Sequence, residues 1–167
     1  MDSLFHVGGK PFFSIGGQLN NSTSSDPALT EKAFKTCVGL GLNTVAAPVH
    51  WELFEKEEGA YDFAQIDMLM ELARRSGLRL VVLWFGTWKN GNSHYVPEWV
   101  KLQKERFLWA KANDGAEIRA LSPTCEETKK ADLRAFCELC GHIARNNADG
   151  CVIGIQIENE PGLIGAA

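Results

Sequence analysis

The sequence lacks any apolar stretch approaching the ~20 residues that span a bilayer, so no membrane partner is expected. It also lacks a basic and apolar leader: it begins Met1-Asp2-Ser3-Leu4-Phe5, from which a cytoplasmic location is expected. Charge of one sign is scarce. Seventeen basic and 21 acidic side chains give a net charge of −4, and a pI near 5.6 gives no reason to expect a nucleic acid partner. Five cysteines, an odd number, argue against a full disulfide framework. Cys37, Cys137 and Cys140 fall on apolar faces of predicted helices. Cys137 and Cys140 form the one CxxC spacing, with no second ligand pair, so buried free thiols are expected and no metal. No linker or low-complexity stretch divides the chain, and residues 1–167 read as a single domain. What is present is ordinary for a globular protein: 45% hydrophobic and 23% charged residues.

The hydrophobic pattern alternates between helix and strand. Asp26-Pro27 is an N-cap followed by proline at the first helical position, and Ala33, Phe34, Cys37 and Val38 follow the helical period to Gly41. A second helix runs from about Ala64 to Ser76, with Ile66, Leu69, Met70 and Ala73 inward and Gly77 closing it. A third spans about Glu126 to Asn146, with Thr124 and Glu127 as a capping box. Its expected buried stripe is Leu133, Phe136, Cys137, Cys140 and Ile143 or Ala144. Between the helices, Asn43–Val49, Leu78–Phe85 and Cys151–Ile157 are continuous apolar runs, which fit strands of a parallel sheet buried on both faces. A further strand ends near Gln18-Leu19. It is preceded by a hairpin about Gly8-Gly9-Lys10, and Asn113-Asp114-Gly115 marks a second hairpin within the third unit.

Chemistry in parallel α/β architectures gathers just beyond the carboxyl ends of strands. Here those positions hold Gln18, Asn20 and Asn21; then His50, Trp51 and Glu52; then Trp84, Phe85, Trp88, Lys89 and Asn90; and finally Glu158, Asn159 and Glu160. Amides and carboxylates match sugar hydroxyls, and indole faces cover the apolar face of a pyranose ring.

Three segments, in order, carry a resemblance. Gly154-Ile155-Gln156-Ile157-Glu158-Asn159-Glu160-Pro161-Gly162 resembles the fourth-strand signature of the retaining glycoside hydrolases built on (β/α)8 barrels. Asn43-Thr44-Val45 with Pro48-Val49-His50-Trp51-Glu52 and Glu58-Gly59-Ala60-Tyr61-Asp62-Phe63 is similar to the second-strand region of β-galactosidases in families thirty-five and forty-two. Val81-Val82-Leu83-Trp84-Phe85-Gly86-Thr87-Trp88-Lys89-Asn90-Gly91, with Pro97-Glu98-Trp99-Val100-Lys101, resembles a third-strand region of family thirty-five.

The resemblance implies an α/β fold: a partial (β/α)8 TIM barrel, strands one to four, with an N-terminal hairpin. A complete barrel takes about 250 residues, so 167 accommodate the first half and truncation after strand four is expected. It implies Glu160 as the general acid/base, Asn159 as the amide on the sugar 2-hydroxyl, a terminal β-D-galactoside as substrate, and no cofactor. Glu158 would share a face with Glu160 under strict alternation, but it precedes the Asn and is expected to be structural. Trp51 and Trp88 either contact sugar or pack the barrel mouth, and Gln18 and Gln156 are further candidates. Glu52 reads as a substrate contact or ion-pair member. A carboxylate common before the third-strand tryptophan is replaced by Thr87. In the resembling families the nucleophile comes from strand seven, so this chain alone is expected to be inactive.

Two alternatives stand beside that expectation. One is a non-catalytic, sugar-binding or self-associating half-barrel, forming a homo-oligomer through exposed barrel edges. The other is a different glycosidase of the same clan, β-glucosidase-like or mannanase-like.

Overall fold

The structure, a computed structural model, describes residues 4–161. Two short strands open it, β1 (His6–Val7) and β2 (Lys10–Pro11), paired antiparallel. Gly8 and Gly9 turn the hairpin with φ of 57° and 75°, the left-handed pair that a two-residue turn demands. There follow β3 (Gly16–Gln18), a 3-10 turn (Thr23–Ser25), α1 (Pro27–Gly39) and β4 (Thr44–His50). Next come α2 (Trp51–Phe54), α3 (Ala64–Ser76), β5 (Arg79–Lys89) and α4 (Glu98–Leu102). A second hairpin, β6 (Trp109–Lys111) with β7 (Glu117–Leu121), leads to α5 (Glu126–Asn146) and β8 (Val152–Asn159).

The main sheet has the order β3-β4-β5-β8, parallel throughout. Each new strand lies beside the one before it, with no reversal. A doubly wound sheet reverses its order, whereas successive strands of a (β/α)8 barrel do not. The fold is the strand-one-to-four part of such a barrel.

Local chemistry accounts for the elements. The Asp26 carboxylate accepts the N–H groups of Ala28 and Leu29 at 2.8 and 3.0 Å and starts α1, with Pro27 inside its first turn. Gly77 ends α3 in the left-handed conformation. Along β4 and β5, Val45, Ala47, Val49, Leu80, Val82 and Trp84 are buried, and they pack with Phe34 of α1, Ile66, Leu69 and Met70 of α3 and Leu139 of α5 in one core. The alternate residues Pro48, His50, Leu83, Phe85 and Lys89 face the other side.

Three sequence expectations change. The buried stripe of α5 is Thr128, Ala131, Ala135, Leu139 and Ile143, while Leu133 and Cys137 are exposed and Cys140 is half-buried. The two alanines on that line let the helix lie close to the sheet, which bulkier Leu133 or Phe136 would not. The capping box is not formed: Cys125 occupies the N-cap without a side-chain bond, and Thr124 pairs with Ser122 instead. Finally, β8 is half-buried rather than buried on both faces, because it is a sheet edge with β5 on one side only.

Candidate active site

The carboxyl ends of β5 and β8 are joined irregularly, and that irregularity sorts the candidate residues. Trp84 lies opposite Ile157 and Lys89 opposite Asn159, so β5 advances five residues (84 to 89) while β8 advances two (157 to 159). The surplus forms a wide bulge in β5. Its exposed backbone donors need an acceptor, and Glu158 provides one: its carboxylate accepts the N–H of Thr87 at 2.8 Å and of Trp88 at 2.7 Å. To do so Glu158 adopts φ of 59°, a left-handed conformation uncommon for a residue with a side chain. That turn breaks the strand alternation, so the expected shared face of Glu158 and Glu160 gives way to a half-buried, structural role for Glu158.

Asp132 of α5 completes the cluster. It accepts the Trp84 indole N–H at 2.8 Å, the Thr87 hydroxyl at 2.5 Å and the Thr87 N–H at 3.0 Å. Burial, then the hydrogen bond to Asp132 and its negative charge, push the Glu158 carboxyl up to about 10, so it is protonated at neutral pH. The Thr87 hydroxyl is spent on Asp132. Gly86 makes the approach of these groups feasible: a Cβ there would lie 2.6 Å from both Asp132 Oδ1 and Glu158 Oε1.

Asn159 points elsewhere. Its Oδ1 accepts from the Lys89 ammonium at 2.6 Å, and Lys89 also donates to Asn90 Oδ1 at 2.5 Å and lies 5.0 Å over the Phe85 ring. Lys89 is only 7% exposed. Glu160 follows just beyond the strand, exposed, with φ of 51° and its carbonyl accepting the Gly91 N–H at 3.2 Å. The structure thus brings Asn159, Lys89 and the Asn90-Gly91 turn together at one rim, with Glu160 beside them.

The other candidates disperse. Trp51 is fully buried, donates its indole N–H to Glu55 at 2.6 Å and meets Trp99 edge to face. This corrects the sugar-contact alternative, since a ring with no exposed surface has no face to offer a ligand. Trp88 is half-buried, bonds the Leu121 carbonyl at 3.3 Å and lines a cavity of about 300 Å³ with Asp132, Phe136 and Glu158. It sits on the α5 side of the sheet rather than beside Asn159. Gln18 is exposed at the end of β3, and Gln156 donates to the Glu158 carbonyl. Glu52 is paired with Lys101 at 3.4 Å. His50 is buried between Tyr95 and Phe85, donates to the Asn21 carbonyl from Nε2 and accepts from Gln65 at Nδ1; burial holds its pKa below the usual value, so it is neutral.

Of two residues that the geometry makes central, sequence reasoning placed Lys89 at the rim without a role and passed over Asp132. Lys89 had a signal, a cation closing the long apolar run of β5. Asp132 had none, being one acid among many on a charged helix.

The model of Glycosyl hydrolases family 35 matches residues 4–166. The chain belongs to glycosyl hydrolase family 35. It is 25% identical, over 157 residues, to a β-galactosidase of Xanthomonas manihotis, covering 92% of this chain and 24% of that protein. It is 28% identical, over 140 residues, to an exo-β-D-glucosaminidase of Pyrococcus horikoshii, covering 72% of this chain and 17% of that protein. The family 35 chain thus spans a quarter or less of the length of these relatives. Among solved structures, an exo-β-1,4-mannosidase from Opitutaceae bacterium strain TAV5 superposes with a TM-score of 0.68 at 20% identity, over 96% of this chain and 27% of that one. The catalytic domain of a β-amylase from Paenibacillus polymyxa does so with a TM-score of 0.61 at 21% identity, over 84% and 35%. These two likenesses are likenesses of fold.

Proposed function

We propose that these residues form the acid/base half of the active site of a retaining β-galactosidase-like glycosidase. The observation that carries the reading is the end of β8. There Asn159 is held by Lys89 at 2.6 Å, and Glu160 stands exposed one residue beyond it. Glu160 protonates the glycosidic oxygen as the bond to the anomeric carbon breaks, while a second carboxylate, from outside these residues, attacks that carbon. Glu160, now ionised, takes a proton from water, whose oxygen releases the sugar from the enzyme. Asn159 donates to the sugar 2-hydroxyl, a bond that strengthens as positive charge develops on the ring. A terminal β-D-galactoside is the substrate, supported by the family and by the β-galactosidase relative.

The test is Glu160→Gln in the protein carrying this sequence. An aryl β-D-galactoside with a poor leaving group should lose about 100- to 10,000-fold in kcat. One with a good leaving group, which departs without protonation, should lose far less. Equal loss on both substrates would remove Glu160 from the acid role.

A second reading has its own observation. β3 and β8 are the edges of the four-stranded sheet, and Ile157 on β8 is 66% exposed. An open parallel edge with an apolar side chain is a template for a second copy, which would make the chain a self-associating half-barrel.

A further inference from the structure

We infer that Lys89 is a specificity-determining residue: through Asn159 it admits sugars with a hydroxyl at C2 and rejects 2-amino-2-deoxy sugars, an assignment that rests on the glycosidase reading. The relatives leave this open, one being named for galactosides and the other for glucosaminides.

Two properties of the pair decide it. First, an ammonium only donates, so the Asn159 oxygen must face Lys89 and its NH2 group must turn away. The amide therefore presents donors to the ligand. A hydroxyl oxygen accepts from such a donor, whereas a protonated amine has only donors of its own. Second, Lys89 has no carboxylate partner among the described residues. Among the described residues its polar partners are the neutral amide oxygens of Asn90 and Asn159, beside the Phe85 ring. With 7% exposure it is poorly screened by water. A cationic sugar placed against Asn159 meets both a donor facing a donor and the Lys89 ammonium close behind it. Building clashes against the wrong ligand is a standard source of specificity.

The experiment compares kcat/KM for an aryl β-D-galactoside and its 2-amino-2-deoxy counterpart in the protein carrying this sequence. A sugar amine resembles an α-amino group and titrates near roughly pH 8, so the comparison is made at about pH 6 and about pH 9. At the lower pH the neutral sugar should be preferred by about 100-fold, and the preference should shrink about tenfold where the amine is uncharged. Lys89→Met should shrink the preference at the lower pH, and Lys89→Arg should keep it. A merely structural lysine would lower both substrates together and leave the ratio unmoved. In parallel, an NMR titration of the 167-residue chain with the two methyl glycosides should show tighter binding of the neutral one.

Wild-type protein that uses or binds both sugars equally, or a ratio unchanged in Lys89→Met, overturns the Lys89 assignment and leaves the glycosidase reading intact. Absence of any Glu160-dependent hydrolysis overturns the glycosidase reading, and the Lys89 assignment falls with it.

Discussion

Glu158 and Asp132 compete for one backbone donor: the Thr87 N–H lies 2.8 Å from Glu158 Oε1 and 3.0 Å from Asp132 Oδ2. Two carboxyl groups this close are both accommodated when one carries a proton. Here Glu158 carries it, and the cluster ties the bulge of β5 to both β8 and α5. The strand β8 is thereby anchored one residue before Asn159.

That proton makes stability depend on pH. Glu158 is raised from 4.5 to about 10 in the folded chain. Between those values the folded state holds a proton that the unfolded state has released, so stability falls as pH rises. Glu55, raised by its burial, acts in the same direction. Urea unfolding at several pH values from mildly acidic to alkaline should show this decline, and Glu158→Gln should flatten it. A variant with the same slope as wild type would place the proton elsewhere.

The crowding around the pair also fixes what residue 86 can be. A methyl group at Gly86 would lie 2.6 Å from Asp132 Oδ1 and from Glu158 Oε1, and against the Trp84 indole nitrogen. Asp132 and Glu158 cannot retreat without losing their hydrogen bonds to the bulge, nor the Trp84 indole without losing its bond to Asp132. Gly86→Ala should therefore destabilise the chain by about 2–4 kcal/mol, read as a drop in the urea midpoint.

Much of this was legible in the residues and some was not. Helix limits followed Asp26-Pro27 and Gly77, because caps and left-handed glycines are local chemistry. The order of strands and the Asn159-Glu160 end of β8 followed from motif order. What failed was geometry that depends on a neighbour. Strict alternation could not foresee that β5 bulges after Trp84, since the surplus residues are apparent only when β5 is laid against β8. Nor could it foresee that Glu158 would turn to fill the bulge. Trp51 was ambiguous for a related reason: its indole N–H is satisfied by Glu55 one helical turn on, a pairing that depends on the buried carboxylate being there. The α5 stripe slipped because apolar residues lie on two adjacent faces, and the alanines, not the larger side chains, set which one meets the sheet.

Trp51 can be separated from sugar binding directly. Glu55 is fully buried and accepts from the Trp51 indole at 2.6 Å and the Gly59 N–H at 2.7 Å. Trp51→Phe keeps most of the ring but removes a donor to that carboxylate. The expected cost is about 1–3 kcal/mol of stability, measured by denaturant unfolding, with sugar affinity unchanged. A variant of native stability but weakened sugar binding would return Trp51 to the site.

Edge association has an equally simple readout. If β8 pairs with a second copy, light scattering of the 167-residue chain should show mass rising with concentration. Ile157→Lys places a charge on the exposed apolar position of that edge and should shift the species to monomer. A wild-type chain that stays monomeric at all concentrations removes the self-associating reading.

The last prediction concerns what the 167 residues can do alone. Retention requires a second carboxylate roughly 5–5.5 Å from the first. The acids nearest the rim in sequence are already committed. Glu158 is bound to the Thr87 and Trp88 amides and protonated, and Glu52 is paired with Lys101 at 3.4 Å. An aryl β-D-galactoside incubated with this polypeptide should therefore release nitrophenol no faster than with its Glu160→Gln variant. Release that depends on Glu160 would mean that one of these two carboxylates leaves its partners to act as nucleophile. Glu52→Gln and Glu158→Gln, assayed side by side, would then identify it.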